Sequence, residues 1–547
     1  MNLDPRIRFC SVIVRAALFA VAWFVSATAF AATAPAPSAR RYVVAEHGAV
    51  GDGTTVNTRA LQAIIDRCAA DGGGVLVIPP GVFLSGALYF KPGVNLELQK
   101  EAVLKSTTVM ADFPPLYTNW EGIERYWSSA FLNFIGTNDV VVSGEGTIDG
   151  SGLAWPGGGP RGARGRGAQP GTPSAAAGPA ASGAVSPTST PPARSTPGPA
   201  DLPPVAAAAP VSAPPPAPAP LPRVADVYPM PLPTTATVNF APDPAHLPPI
   251  NAAGIPLPGG GGSRVSPPRA IVFQNCTNVR ISGVHLKNQA RWGFVFIYCR
   301  HVVAENLNVH IDSYIPSSDG IDVCSCQDVR ISGCDIACTD DDISIKAGKD
   351  TDGLRVNRPS ENITISDCTF GSGGGVAMGS EVSGSIRHVL VERCTFTGSS
   401  TAVRIKSQPS RGGVIEDIVY RDIKLTDVGR AFSFELEWRM VPPIAPPAKV
   451  LTVVRNVRLI NISGTARAAG VIQGLKDSPI QDVNFENCKV TAQRGLNLEN
   501  MKDPDLAGLE LKVAEGEPII HGAPAARPPG ASVDPAGAPP SSPKPSI

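Results

Sequence analysis

Residues 317–346 read SSDGIDVCSCQDVRISGCDIACTDDDISIK. Two signals overlap in this stretch. The first is a pattern: Val329, Ile331, Cys334 and Ile336 are apolar, and polar or small residues fill the gaps. The second is chemical: Asp319 precedes a glycine, and Asp340, Asp341 and Asp342 follow as a triplet. Clustered carboxylates repel one another and lose solvation on approach. A fold that holds them together implies metal binding or acid/base chemistry.

The pattern recurs along the chain. Its first apolar position is filled by Val279, Val302, Val329, Ile363, Val389, Ile418, Val457 and Val483. Two residues on come Ile281, Ala304, Ile331, Ile365, Val391, Tyr420, Leu459 and Phe485. Five on come Val284, Leu307, Cys334, Cys368, Cys394, Ile423, Ile462 and Cys488. Seven on come Leu286, Val309, Ile336, Phe370, Phe396, Leu425, Gly464 and Val490. Each unit is a strand, a bend of small residues and a second strand, then a longer return. One unit cannot bury its inner face alone, so the units must stack. The expected fold is all-β: a right-handed parallel β-helix with coils about 4.8 Å apart and a short N-terminal helix cap. The helix is expected at Thr58–Ala70, with Leu61, Ile64, Ile65 and Cys68 on one face. Strands are expected at 75–78, 83–88 and 94–98, and the first regular coil at Val140–Ile148.

Stacking decides the cysteine question. Cys334, Cys368, Cys394 and Cys488 replace Val, Leu or Ile of other coils and read as small core hydrophobes. Strand alternation places Cys324 and Cys326 on one face, and no second Cys/His pair of zinc spacing accompanies them.

Five segments follow. Residues 1–31 read as a signal peptide: Arg6, Arg8 and Arg15, a short apolar run, and small residues at Ala29 and Ala31. Residues 32–156 form the N-terminal cap and first coils. Residues 157–267, rich in Pro, Ala and Gly, read as a disordered insertion. Residues 268–502 hold the main β-helix and the site. Residues 503–547 form a C-terminal segment and a tail of similar composition. The chain is expected to be exported, to a periplasm or beyond, as a monomer with no stable membrane span. Its 47 basic and 47 acidic residues balance, so no global field draws it to nucleic acid.

Loops of successive coils stack too. Asp319 follows the coil of Val302, and Asp340 and Asp341 follow that of Val329. Gly373-Gly374-Gly375 follows that of Ile363, and Arg404 and Lys406 follow that of Val389. Two residues apart on a strand, Arg404 and Lys406 share a face. Carboxylates below a cationic pair suit hydrolysis of an acidic sugar chain: the cations hold a substrate carboxylate, and the carboxylates divide into proton donor and base.

These residues resemble the polygalacturonase family of glycoside hydrolases, family 28, over about Tyr42–Trp155 and Pro268–Asn500. The family's N-T-D-G motif is similar to Ser317-Ser318-Asp319-Gly320, its D-D to Asp340-Asp341, and its R-I-K is Arg404-Ile405-Lys406. GDGTTVNT (51–58) and GEGTIDG (144–150) resemble bacterial members. The resemblance implies Asp340 as general acid, Asp319 and Asp341 holding and deprotonating a water, and Arg404 and Lys406 binding a uronate carboxylate. It implies single-displacement inverting hydrolysis of galacturonate-containing pectic polysaccharide or oligogalacturonide, exo-acting, without cofactor or metal. The family's G-H-G motif aligns with Ser372-Gly373-Gly374, so its histidine is absent. His388 is expected to face solvent in the next coil, and Asp342 takes no catalytic role. Three other readings stand beside this one: a rhamnogalacturonan-directed hydrolase of the same family, a pectate lyase using Ca²⁺, and a non-catalytic sugar-binding β-helix.

Overall fold

The computed structural model describes residues 40–155, 266–438 and 450–522. The signal segment, the insertion apart from Ser266 and Pro267, and the tail beyond 522 lie outside the described residues. The chain winds as a parallel β-helix. All eight repeat positions of the first column are consecutive register partners, from Val279↔Val302 through Val329, Ile363, Val389, Ile418 and Val457 to Val483. The positions two and seven residues on are equally in register, Ile281↔Ala304 and Leu286↔Val309 for example.

Each coil turns where the backbone enters the left-handed region. Asn278, His301, Asp328, Asn362, His388, Asp417, Asn456 and Asp482, each just before the first column, have φ between 51° and 59°. A second corner four residues past the column uses Gly283, Asn306, Gly333, Asp367, Arg393, Asp422, Asn461 and Asn487. Asn, Asp and Gly tolerate this geometry best. Side chains of the first corner also bond up the stack: Asn278 Nδ2 donates to Asp139 at 2.8 Å, and Asn362 Nδ2 to Asp328 at 3.0 Å.

Inside the coils runs one hydrophobic core from Tyr42 to Leu498. It includes Cys334, Cys368, Cys394 and Cys488, as expected, and all ten described cysteines are free and buried. Helix α1 (Thr58–Ala70) buries Leu61, Ile64, Ile65 and Cys68 against it.

Four features differ from the sequence reading. Stacking begins before residue 140, because strand Gly74–Ile78 already pairs with Val94–Leu98 and that with the strand reaching Val142. The expected strand at 83–88 is two strands, Gly81–Ser85 and Leu88–Phe90. Cys324 and Cys326 do not share a face: Ser325 between them has φ 53°, which breaks the alternation and sends Cys326 into the core and Cys324 outward. The segment after 502 adds another coil, Leu509–His521, parallel to Cys488–Glu499.

Among the described residues no helix is long and apolar enough to cross a membrane. Asn362→Val, which puts a β-branched residue at a left-handed corner, is expected to cost about 1–2 kcal/mol in urea denaturation, with Asn362→Gly costing markedly less.

Candidate active site

The third strand of each coil carries the site on its outer face. Ile321–Cys324, Ile343–Lys346, Val376–Met378 and Val403–Lys406 stack in order. Ile321, Ile343, Val376 and Val403 point into the core. One outward row is Asp322, Ser344, Ala377 and Arg404; the next holds Cys324 and Lys346 and, two coils on, Lys406. Just before these strands, Gly320 N donates to the Asp341 carbonyl at 3.0 Å, which sets Asp319 beside Asp341. Gly374 N donates to the Asp340 carbonyl at 2.7 Å, so the glycine patch lies next in the stack.

The structure therefore brings together all five residues singled out in the sequence. Asp319, Asp340 and Asp341 each place a carboxylate oxygen within 4.8 Å of the others. Arg404 Nη1 is 3.0 Å from Asp341 Oδ1, and Lys406 Nζ is 2.6 Å from Asp341 Oδ2. Ser344 Oγ donates to the same Oδ2 at 3.2 Å. Both oxygens of Asp341 are thus engaged by the chain's own donors, which makes this donor set a poor cage for a divalent ion.

The three carboxyls differ electrostatically although they are neighbours. Burial pushes Asp341 up, but Lys406 and Arg404 outweigh it and hold this carboxyl below the usual range. Asp340 is raised by burial and then by Asp341, against the pull of the same two cations. Asp319 is raised well above its ordinary value by burial and by Asp322 and Asp340. Asp341 is an anion, then, beside two carboxyls that retain protons more readily. Asp340 alone of the three keeps a partly exposed face, so it can meet a substrate oxygen.

Several residues at the site were not assigned from sequence. Asp322 is fully buried beside Asp319, and its carboxyl is pushed up to about 7, chiefly by burial. Lys346, at the end of the stretch quoted first, lies 3.3 Å from Glu381, 3.7 Å from Asp322 and 3.8 Å from Asp319. Trp438 covers the cationic pair, with its ring centre 4.9 Å from the Arg404 guanidinium. Period-2 alternation would have put Asp322 and Lys346 on the outer face; nothing local signalled Trp438. His388 is no solvent-facing residue: it is buried at a left-handed corner, 3.1 Å from Asp417.

N-terminal to the cluster, the same outer face is covered by an antiparallel hairpin, Pro115–Trp120 with Ile123–Ser128. Its turn, Glu121-Gly122, has φ of 47° and 79°, which suits a two-residue type I′ connection. Trp120 stacks between Trp127 at 4.9 Å and Trp292 at 5.4 Å. Thus Trp120 and Trp292 are buried packing residues. The turn docks on the loop before helix α2 (Asp350–Val356): Lys349 N donates to the Gly122 carbonyl at 2.9 Å, and Arg355 bonds Glu124 at 2.6 Å.

Residues 261–507 match the family model for glycosyl hydrolases family 28. By this match the segment that holds the site belongs to the family. It is a glycoside hydrolase acting on O-glycosidic bonds. A probable polygalacturonase of Vitis vinifera is 24% identical over 461 residues, covering 81% of this chain and 73% of its own. An exo-poly-alpha-D-galacturonosidase of Dickeya chrysanthemi is 25% identical over 484 residues, covering 85% and 70%. In fold, the chain is similar to an exopolygalacturonase of Thermotoga maritima, with a TM-score of 0.61 and 23% identity over 84% of this chain and 92% of that one.

The position aligned above with the family 28 histidine is Gly373. It has φ 150°, and a Cβ there would fall 2.1 Å from Asp342 Oδ1. Asp342 is fully buried, accepts from Gly375 N at 2.9 Å and faces the Cys338 thiol. It lies beneath Gly373, which is glycine because Asp342 fills the space under it, whereas a Cβ on Gly374 would meet Asp341 Oδ1 at 2.7 Å. Gly373→Ala is expected to destabilise by more than about 1 kcal/mol. Adding Asp342→Ala should recover the steric part, as a coupling of about 0.5–3 kcal/mol in a double-mutant cycle of urea midpoints.

Proposed function

We propose that this family 28 enzyme hydrolyses α-glycosidic bonds of galacturonate-containing pectic polysaccharide or oligogalacturonide, removing residues from a chain end. One observation carries the reading: the carboxyl with a raised pKa and an exposed face, Asp340, stands against a carboxylate held ionised by Arg404 and Lys406. Pairs of carboxyls pushed apart in this way divide into acid and base.

In this reading Asp340 donates its proton to the glycosidic oxygen as the bond to C1 breaks. A water held by Asp319 and Asp341 attacks C1 and gives them its proton. Arg404 and Lys406 are placed to hold the carboxylate of a uronate ring as well as Asp341, with Trp438 over them to exclude water. The exo mode is supported by the hairpin at 115–128, which covers the outer face on one side of the cluster, and by the exo-acting relative. Export is part of the same proposal and rests on the N-terminal sequence pattern.

The family resemblance, not carboxyl spacing, supports inversion. Oxygens within 4.8 Å are closer than the roughly 6.5–9.5 Å common in inverting enzymes. Proton NMR early in the reaction is expected to show a β-configured first product from the α-linked substrate; an α product would replace single displacement with a double one.

Asp340→Asn is expected to lower reducing-sugar release by about 10²-fold or more with the fold intact by circular dichroism. Galacturonan oligomers should yield only monomer, whereas a spread of sizes would remove the exo assignment. The plot of kcat/KM against pH should rise from acid pH as the base ionises. It should fall once Asp340 loses its proton, and this limb should lie above the ordinary carboxylate range because Asp340 is raised.

A further inference from the structure

Two of the three cations at the cluster are spent on Asp341. Asp319 is 3% exposed and so has little water to solvate it. Several groups bear on it: Asp322 from its own coil, Asp340, Asp341 and the Cys338 thiol from the next, and Arg291 from the one before. Arg291 is engaged elsewhere, with Nε donating to Ser266 and Nη1 to the Pro316 carbonyl. The remaining cation is Lys346, 3.8 Å away.

Lys346 is itself buried and fixed on two sides. Its ammonium stands 4.9 Å from the centre of the Trp292 ring and 3.3 Å from Glu381. Glu381 is pushed up by burial, but Lys346, Arg411 and Lys349 overcome this and bring it to about 2, so it is a permanent anion. Asp322, 3.7 Å from the ammonium, is the third carboxyl sharing it, and it also hydrogen-bonds the Asp319 carboxyl. Arg411 and Lys349 help to neutralise Glu381, but among the described residues Lys346 is the one cation paired with Asp319 and Asp322, so at least one proton is retained on that pair.

We propose that Lys346 is a positioning residue of the reaction: its ammonium is the counter-ion of Asp319, and Glu381 fixes its place and competes for it. The proposal deepens the assignment of Asp319 as a water-activating base and rests on that reading. Lys346 does not touch substrate in this scheme. It determines how readily Asp319 gives up its proton, and Trp292 and Glu381 determine where it stands.

Two variants test this with opposite signs. Lys346→Met leaves Asp319 among carboxyls alone, so the acid limb of kcat/KM on oligogalacturonide should move up by about one pH unit or more, with KM little changed. Lys346→Arg should restore most of the shift. Glu381→Gln removes the competitor, so the limb should move down. Shifts of the same sign, an unmoved limb, or a rise in KM alone would overturn the proposal.

A second readout needs no turnover. Without Lys346 the folded-state pKa values of Asp319 and Asp322 rise further above their unfolded value of about 4. The deficit in Tm of Lys346→Met should therefore open above the wild-type folded-state value, about 7 for Asp322, and widen as pH rises further. A deficit independent of pH would mean a packing role and would also overturn it. Wild-type inactivity on every pectic oligomer, with the widening deficit present, would overturn the functional reading and leave the ion cluster standing.

Discussion

Two left-handed corners per coil are the constraint on which the rest depends. A β-branched residue resists φ near 55°, so Asn, Asp, His and Gly at these corners fix where each coil turns. With the corners aligned, the strands cannot slip by one residue without carrying the core columns outward. Register is thereby held from Val279 to Val483 although the lengths of the returns vary widely. The site inherits this precision. Asp319, Asp340 and Asp341 lie on two coils and Arg404 and Lys406 on a later one, and only exact stacking brings them within reach.

The second ordering principle is the distribution of charge inside that stack. Buried carboxylates need compensation, and cations supplied by a neighbouring strand provide it without solvent. Here the compensation is unequal. Asp341 is bonded by two cations, while Asp319 and Asp322 share Lys346 with Glu381, on which Arg411 and Lys349 also act. Inequality is what acid/base chemistry requires, because equal neighbours would titrate together. The same fold elements thus produce two firm anions, Asp341 and Glu381, beside carboxyls at Asp319, Asp322 and Asp340 that hold protons longer.

The repeat was legible in sequence because inward positions of a stacked coil have no alternative to being apolar. All eight positions of the first column fell into register, and the five site residues fell on one face. Alternation failed at Ser325 and His388, where a single residue with positive φ redirects the neighbouring side chains. Asp322 and Lys346 were in plain view but carried no motif of their own; their importance lies in distances across coils. Trp438 and the docking of Gly122 on Lys349 depend on contacts between segments far apart in the chain. Local pattern holds no record of these.

Those long-range contacts join two features that are separate in the sequence. The hairpin at 115–128 covers one side of the cleft and places Trp120 against Trp292. Trp292 lies under the Lys346 ammonium, and Lys346 faces Asp319. The Glu121-Gly122 turn also abuts Lys349 and Glu381, where a Cβ on Gly122 would fall 2.7 Å from Lys349 Cβ and 2.9 Å from Glu381 Cγ. The element that covers the cleft therefore also packs against the groups that hold Lys346 beside Asp319. A change in the hairpin that moved Trp120 would be felt at Lys346 through a stacked ring, not through solvent. In this chain cleft closure and the electrostatics of Asp319 are consequences of the same packing.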